Sequence, residues 1–148
     1  MPFLALVFLH VATSFAVIAI HSGSMALVVA AVWAREDDAA AAVARLYGRA
    51  GRLVPPLGLL AGAFGLLAAL SASYNLAAPW LLLAYGLFVA MIAFGGAVSV
   101  PAMASVAGSG SDAPTHRSGR RSRLAAIVAV DTAIVVLLIA DMVVKPFS

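Results

Sequence analysis

The sequence predicts an all-α fold, a transmembrane bundle of four helices, and three observations carry that prediction. Of 148 residues, 64% are apolar and 10% charged. With a mean hydropathy of +1.09, a soluble fold could not hide so much apolar surface. Charged residues are missing from 1–34 and from Leu53 to Ser111, and from Leu124 to Val144 the only ones are Asp131 and Asp141. The apolar runs do not alternate and are rich in Ala, Leu and Gly, so they read as helices and not as the strands of a closed barrel.

A span needs roughly 20 residues at about 1.5 Å rise each. The first is expected near 3–33. Small residues around Ser22 to Ala26 invite comparison with a cleaved signal peptide, but no positive segment precedes them and the uncharged stretch is too long for a signal core, so a retained span is expected. The loop 35–52 follows with four arginines. Asp37 and Asp38 suit a helix start, Arg45 and Arg49 lie toward the far end, and Val43, Leu46 and Tyr47 fall at i, i+3 and i+4, which predicts a short helix lying on the inner leaflet.

The second span, 53–73, carries Pro55 and Pro56 in its first turn, where missing N–H groups cost least. A polar turn, Ser71-Ala72-Ser73-Tyr74-Asn75, and Pro79 separate it from the third, 79–103. The loop 104–123 begins with linker composition, Gly108-Ser109-Gly110-Ser111-Asp112-Ala113-Pro114, expected to be mobile, and ends in four arginines. The fourth span is 124–144. The whole chain, 1–148, reads as one transmembrane domain without internal repeats.

Both arginine-rich loops are cytoplasmic by the positive-inside rule, which places the N and C termini outside and suits a bacterial inner membrane. Trp80 and Tyr74 then mark the outer interface, Trp33 and Tyr47 the inner. Arg45, Arg49, Arg52, Arg117, Arg120, Arg121 and Arg123 are expected at lipid headgroups, so the net charge of +3 reflects topology and not nucleic-acid binding. With no cysteine, disulfides, thiolate metal sites and cysteine nucleophiles are excluded. Lipid gives helices no hydrophobic reason to associate, so close approach through small residues is expected: Gly58, Gly62 and Gly65 on the second span, Gly95 and Gly96 on the third.

Ionisable groups inside a span are costly, on the order of 2–3 kcal/mol even on lenient scales, and each needs a reason. His10 and His21 share one face of the first span, roughly 16 Å apart along its axis, too far to ligate one metal ion together. On an antiparallel fourth span, Asp131 falls near the depth of His21 and Asp141 near that of His10. His21–Asp131 is the stronger pairing and the candidate proton or ion relay; His10 and Asp141 are secondary, with Asp141 expected as a solvated helix end. Histidines in helical bundles can also hold haem b, with Met91 or Met142 as a second ligand, and His21 with Met25, four residues on, presents donors suited to copper. His10, His21 and Met25 are therefore the metal-ligand candidates.

Phe8-Leu9-His10 in the first span, a charged loop, a Pro- and Gly-rich second span, Pro79-Trp80-Leu81-Leu82-Leu83, and Gly95-Gly96 closing on Pro101 together resemble a family of uncharacterised bacterial four-helix integral membrane proteins. That family is similar in pattern to the D-type membrane proteins of copper-resistance operons. The resemblance covers Phe8 to Pro101 and implies a fold. From the copper-resistance type it carries over His10 alone, as the histidine opening the first-helix motif; the Trp-Gly-Gly element that continues the motif is replaced by Ala12-Thr13-Ser14-Phe15. No hydrolase or transferase constellation is present, so no enzymatic activity is expected. The leading expectation is an accessory or scaffold subunit that meets other membrane subunits or copies of itself in the bilayer. The alternatives are a proton relay or small transporter using Asp131 and His21, and a haem or copper binding protein.

Overall fold

A computed structural model describes residues 3–108 and 114–144, with side chains described to 108 and again from 119. Six helices follow in order: α1 (Phe3–Ala34), α2 (Asp37–Ala50), α3 (Val54–Ser71), α4 (Pro79–Phe94), α5 (Val100–Gly108) and α6 (Pro114–Val144). No strand occurs among the described residues. A 3₁₀ turn, Gly51–Leu53, joins α2 to α3, and a π-helical turn, Gly95–Ser99, joins α4 to α5, so the chain forms four long rods, each apolar and long enough to cross a membrane.

The turns between rods have local causes. At the end of α1 the Glu36 N–H donates to the Ala31 carbonyl (2.9 Å) while Arg35 takes φ 65°. Tyr74 N–H does the same to Ala69 (3.0 Å), with Ser73 at φ 56°, to end α3. Both are Schellman closures in which a non-glycine residue occupies the left-handed position. Asn75 Oδ1 then accepts from Ala77 N–H (3.0 Å), and Pro79 starts α4 with its φ already helical.

The π turn also has a cause. Pro101 has no N–H for the carbonyl four residues back and its ring presses on that carbonyl, so the helix widens over the preceding Gly95–Ser99 segment instead of kinking.

α1 is the central rod. It packs along α3, α2 and α6, and α4 reaches the bundle through α6. α2 differs from its expected place on a leaflet surface: it lies against α1 and α5 and runs on into α3. Its buried face is the small-residue row Ala40, Ala41 and Ala44 with Tyr47, while Leu46 faces outward. Alanine lets α2 approach α1 closely, which a Val43–Leu46 face would not.

Packing is uneven along the bundle. At the end carrying the arginine-rich connections, Met25, Val28, Val32, Ala40, Ala44, Tyr47, Met103, Val106, Leu124 and Ile127 form one continuous core. Toward the Ser73 turn, a smaller cluster of Ala69, Trp80 and Leu81 lies at the opposite end, with Tyr74 edge-on to Trp80 at 5.6 Å. Trp80 is therefore buried within the bundle. Between the two clusters the helices part.

Candidate functional site

The seven-residue recurrence of α1 (Val17, His21, Met25, Val28, Val32) turns His21 into the bundle, where it is 6% exposed. The buried stripe of α6, Leu124, Ile127, Asp131 and Val135, brings Asp131 to the same depth at 2% exposure. There the Nε2–H of His21 donates to Oδ1 of Asp131 (2.9 Å), and Ser22 Oγ–H donates to Oδ2 (2.9 Å). With Nε2 carrying the proton, Nδ1 of the neutral ring accepts from the Tyr47 hydroxyl (2.8 Å). The rings of His21 and Tyr47 are 5.9 Å apart, inclined at 51°.

Three rods thus hold a continuous series, Tyr47 to His21 to Asp131, with Ser22 occupying the second carboxylate oxygen. The series has two hydrogen-bonding states. Adding a proton at Nδ1 makes an imidazolium that donates to both Asp131 and the Tyr47 oxygen, and the Tyr47 hydroxyl hydrogen turns away. An imidazolium–carboxylate couple carries no net charge, which a low-dielectric site tolerates better than a lone carboxylate.

Tyr47 is the member that sequence reasoning expected at the inner interface but did not connect with His21. It is 4% exposed, and the signal for it was its spacing from Ala40 and Ala44 on one helix face. The π turn passes beside the cluster: a methyl on Gly95 would stand 3.7 Å from Cε1 of His21. One turn further, the Ser99 hydroxyl is fully buried and has no hydrogen-bond partner among the described residues.

The second His–Asp pair does not form. His10 Nδ1–H donates to the Ala61 carbonyl (2.7 Å) across the α1–α3 interface. Asp141 is no solvated helix end: it is 4% exposed, and both its oxygens lack partners among the described residues. It stands ten residues from Asp131, about 80° off a common face.

Among the expected packing glycines, a methyl on Gly65 would lie 2.9 Å from His10 Nδ1, and one on Gly62 3.3 Å from Phe88 Cζ. Gly58 and Gly96 have nothing within 4 Å of that position, so they are not points of close approach. Arg45, Arg49, Arg52 and Arg123 are exposed, Arg120 and Arg121 half-buried, and the Arg117 side chain lies outside the described residues.

Where the rods part, a cavity of about 630 Å³ opens between α1, α3, α4 and α6. Its walls are almost wholly apolar, with Phe15, Tyr85, Phe88, Met91 and Leu138 prominent and His10 among them. It ends at Val17 and Ile18 of α1, Met91 of α4 and Val135 of α6. Each is about one helical turn short of His21, Gly95 and Asp131 respectively. Val17, Ile18, Met91 and Val135 thus form the floor of the cavity, the polar cluster lies about one turn beneath it, and beyond the cluster the apolar core from Met25 to Val32 seals the arginine-rich end.

Both ring nitrogens of His21 are engaged and Met25 is enclosed in the apolar core, so neither presents a free donor to copper or haem. Among the described residues, no three His, Asp or Glu side chains gather as a metal site. Compared with family models, with curated proteins and with solved structures, the chain gives no match to any of the three.

Proposed function

We propose that this chain is a small multi-pass membrane carrier whose cavity takes an apolar solute from the bilayer and whose Tyr47–His21–Asp131 cluster couples that binding to a proton. The observation that carries the reading is the position of the cluster: one turn below the cavity and directly above a sealed core. A channel needs a path through both ends, and the core from Met25 to Val32, about 10 Å deep along α1, interrupts any proton wire. A site reached from one side and closed on the other is the arrangement of a carrier. By the positive-inside rule the sealed end is cytoplasmic, in a bacterial inner membrane, and both termini face outside.

Proton coupling has a direct thermodynamic signature: if solute binding changes the protonation of the cluster, the affinity for solute depends on pH. With full-length protein in nanodiscs, binding of the apolar fluorophore N-phenylnaphthylamine should vary several-fold between about pH 5 and 8, the range over which imidazoles change charge. Asp131→Asn and His21→Gln should flatten the profile while still binding the probe. A wild-type profile as flat as that of the variants refutes the coupling and leaves the cluster a structural tie.

A second reading, an accessory or self-associating subunit, is favoured by the large apolar side chains left exposed on α3 and α4, among them Leu59, Leu66, Leu82 and Val89, against which a helix of another subunit could lie. Native mass spectrometry from mild detergent separates the two: a monomer counts against the subunit reading.

A further inference from the structure

The cavity wall carries one polar group whose state the structure defines. A carbonyl oxygen only accepts, so the 2.7 Å bond to Ala61 places a hydrogen on Nδ1 of His10, and in the neutral ring this leaves the lone pair on Nε2. Among the described residues Nε2 has no partner, and His10 lines the cavity. Its ring is seated in the space left by the missing side chain of Gly65, which fixes it from the α3 side. The result is an oriented acceptor in a wall that is otherwise almost wholly apolar, its remaining polar side chains being Ser14, Tyr74, Trp80 and Tyr85.

The cavity also has a shape. Its lining on α1 runs from Phe3 to Ile18, about 22 Å along the helix axis, with His10 near the middle. A slot of that length and about 630 Å³ suits a chain more than a disc. Acyl chains of ordinary lipids can enter it but carry no donor at this depth, and at Nε2 of His10 a ketone or ester would set acceptor against acceptor.

We propose that the cavity selects an elongated lipophile bearing a hydroxyl, a long-chain alcohol or quinol, whose O–H donates to Nε2 of His10. The proposal rests on the carrier reading in treating the cavity as a ligand site, and adds the ligand class.

The test compares radiolabelled 1-tetradecanol with its methyl ether, identical but for the donor, by scintillation proximity on full-length protein in nanodiscs. Wild type should prefer the alcohol about fivefold, the factor one net hydrogen bond of ordinary strength gives. His10→Leu should bind both equally, and His10→Gln, which keeps an acceptor, should retain a preference and covers the case in which the leucine variant fails to fold. Equal binding by wild type, or a preference that survives in folded His10→Leu, overturns the hydroxyl role while the cavity stands. Binding of neither probe overturns the proposal and the carrier reading together. A Soret band on adding haemin to wild type, lost in His10→Leu, overturns the proposal by assigning Nε2 to iron.

Discussion

Replacing His21 by leucine removes the donor to Asp131 and the acceptor for Tyr47 at once, leaving a carboxylate at 2% exposure with only Ser22 beside it. Removing the donor to a buried carboxylate costs about 3 kcal/mol or more, because the surviving charge stays desolvated. Asp131→Leu leaves no buried charge once His21 is neutral, but strands the Nε2–H and the Ser22 hydroxyl, at about 1–3 kcal/mol each. The double variant replaces the couple by apolar bulk and leaves only the Tyr47 and Ser22 hydroxyls unmatched, so its cost should be close to that of one single variant and not to their sum. The expected interaction energy is about 2–3 kcal/mol, at the upper end of what directly bonded neighbours show. Unfolding in mixed micelles at increasing SDS fraction, followed by circular dichroism, measures all four corners of the cycle. Additivity within about 0.5 kcal/mol would refute the bond between His21 and Asp131.

Gly65→Ala forces a methyl to within 2.9 Å of His10 Nδ1 and should cost about 1–3 kcal/mol, whereas Gly58→Ala, with open space, should be neutral or stabilising in the same titration. Asp141→Leu removes a buried carboxylate without partners and should raise stability by about 1–3 kcal/mol; a loss would reveal a partner for Asp141. Arg35→Gly relieves a left-handed residue at the end of α1 and should stabilise by about 0.5–1 kcal/mol, read as a higher melting temperature.

Much of the fold was legible because hydrocarbon imposes a simple grammar: spans of a minimum length, charges between them, and Pro79 and the Ser71–Asn75 turn as punctuation. The depth match of His21 and Asp131 was legible for the same reason, since helical rise is fixed. Tyr47 was not, because four arginines made its segment look like a surface loop and its large residues drew attention from the alanine row that sets its buried face. Asp141 was misread because nearness to a helix end says nothing about which neighbour covers a side chain. The cavity has no sequence signal at all: it arises from how far α4 stands from α3, a distance between elements and not a property of either.

The unbroken run from α2 into α3 also carries a length. From Arg52 to Ser71 is about 28 Å of helix, close to one hydrocarbon thickness, so a bilayer fitted to α3 would begin at Arg52. Measured back along α2 and α1 from the Arg35 turn, His21 lies at nearly that same level. The apolar core behind it would then belong to a collar standing in headgroups and water, held by the hydrophobic effect that the rest of the bundle lacks. One molecule would thus obey two solvents: urea should loosen the collar first, and bilayer thickness should act first on the cavity.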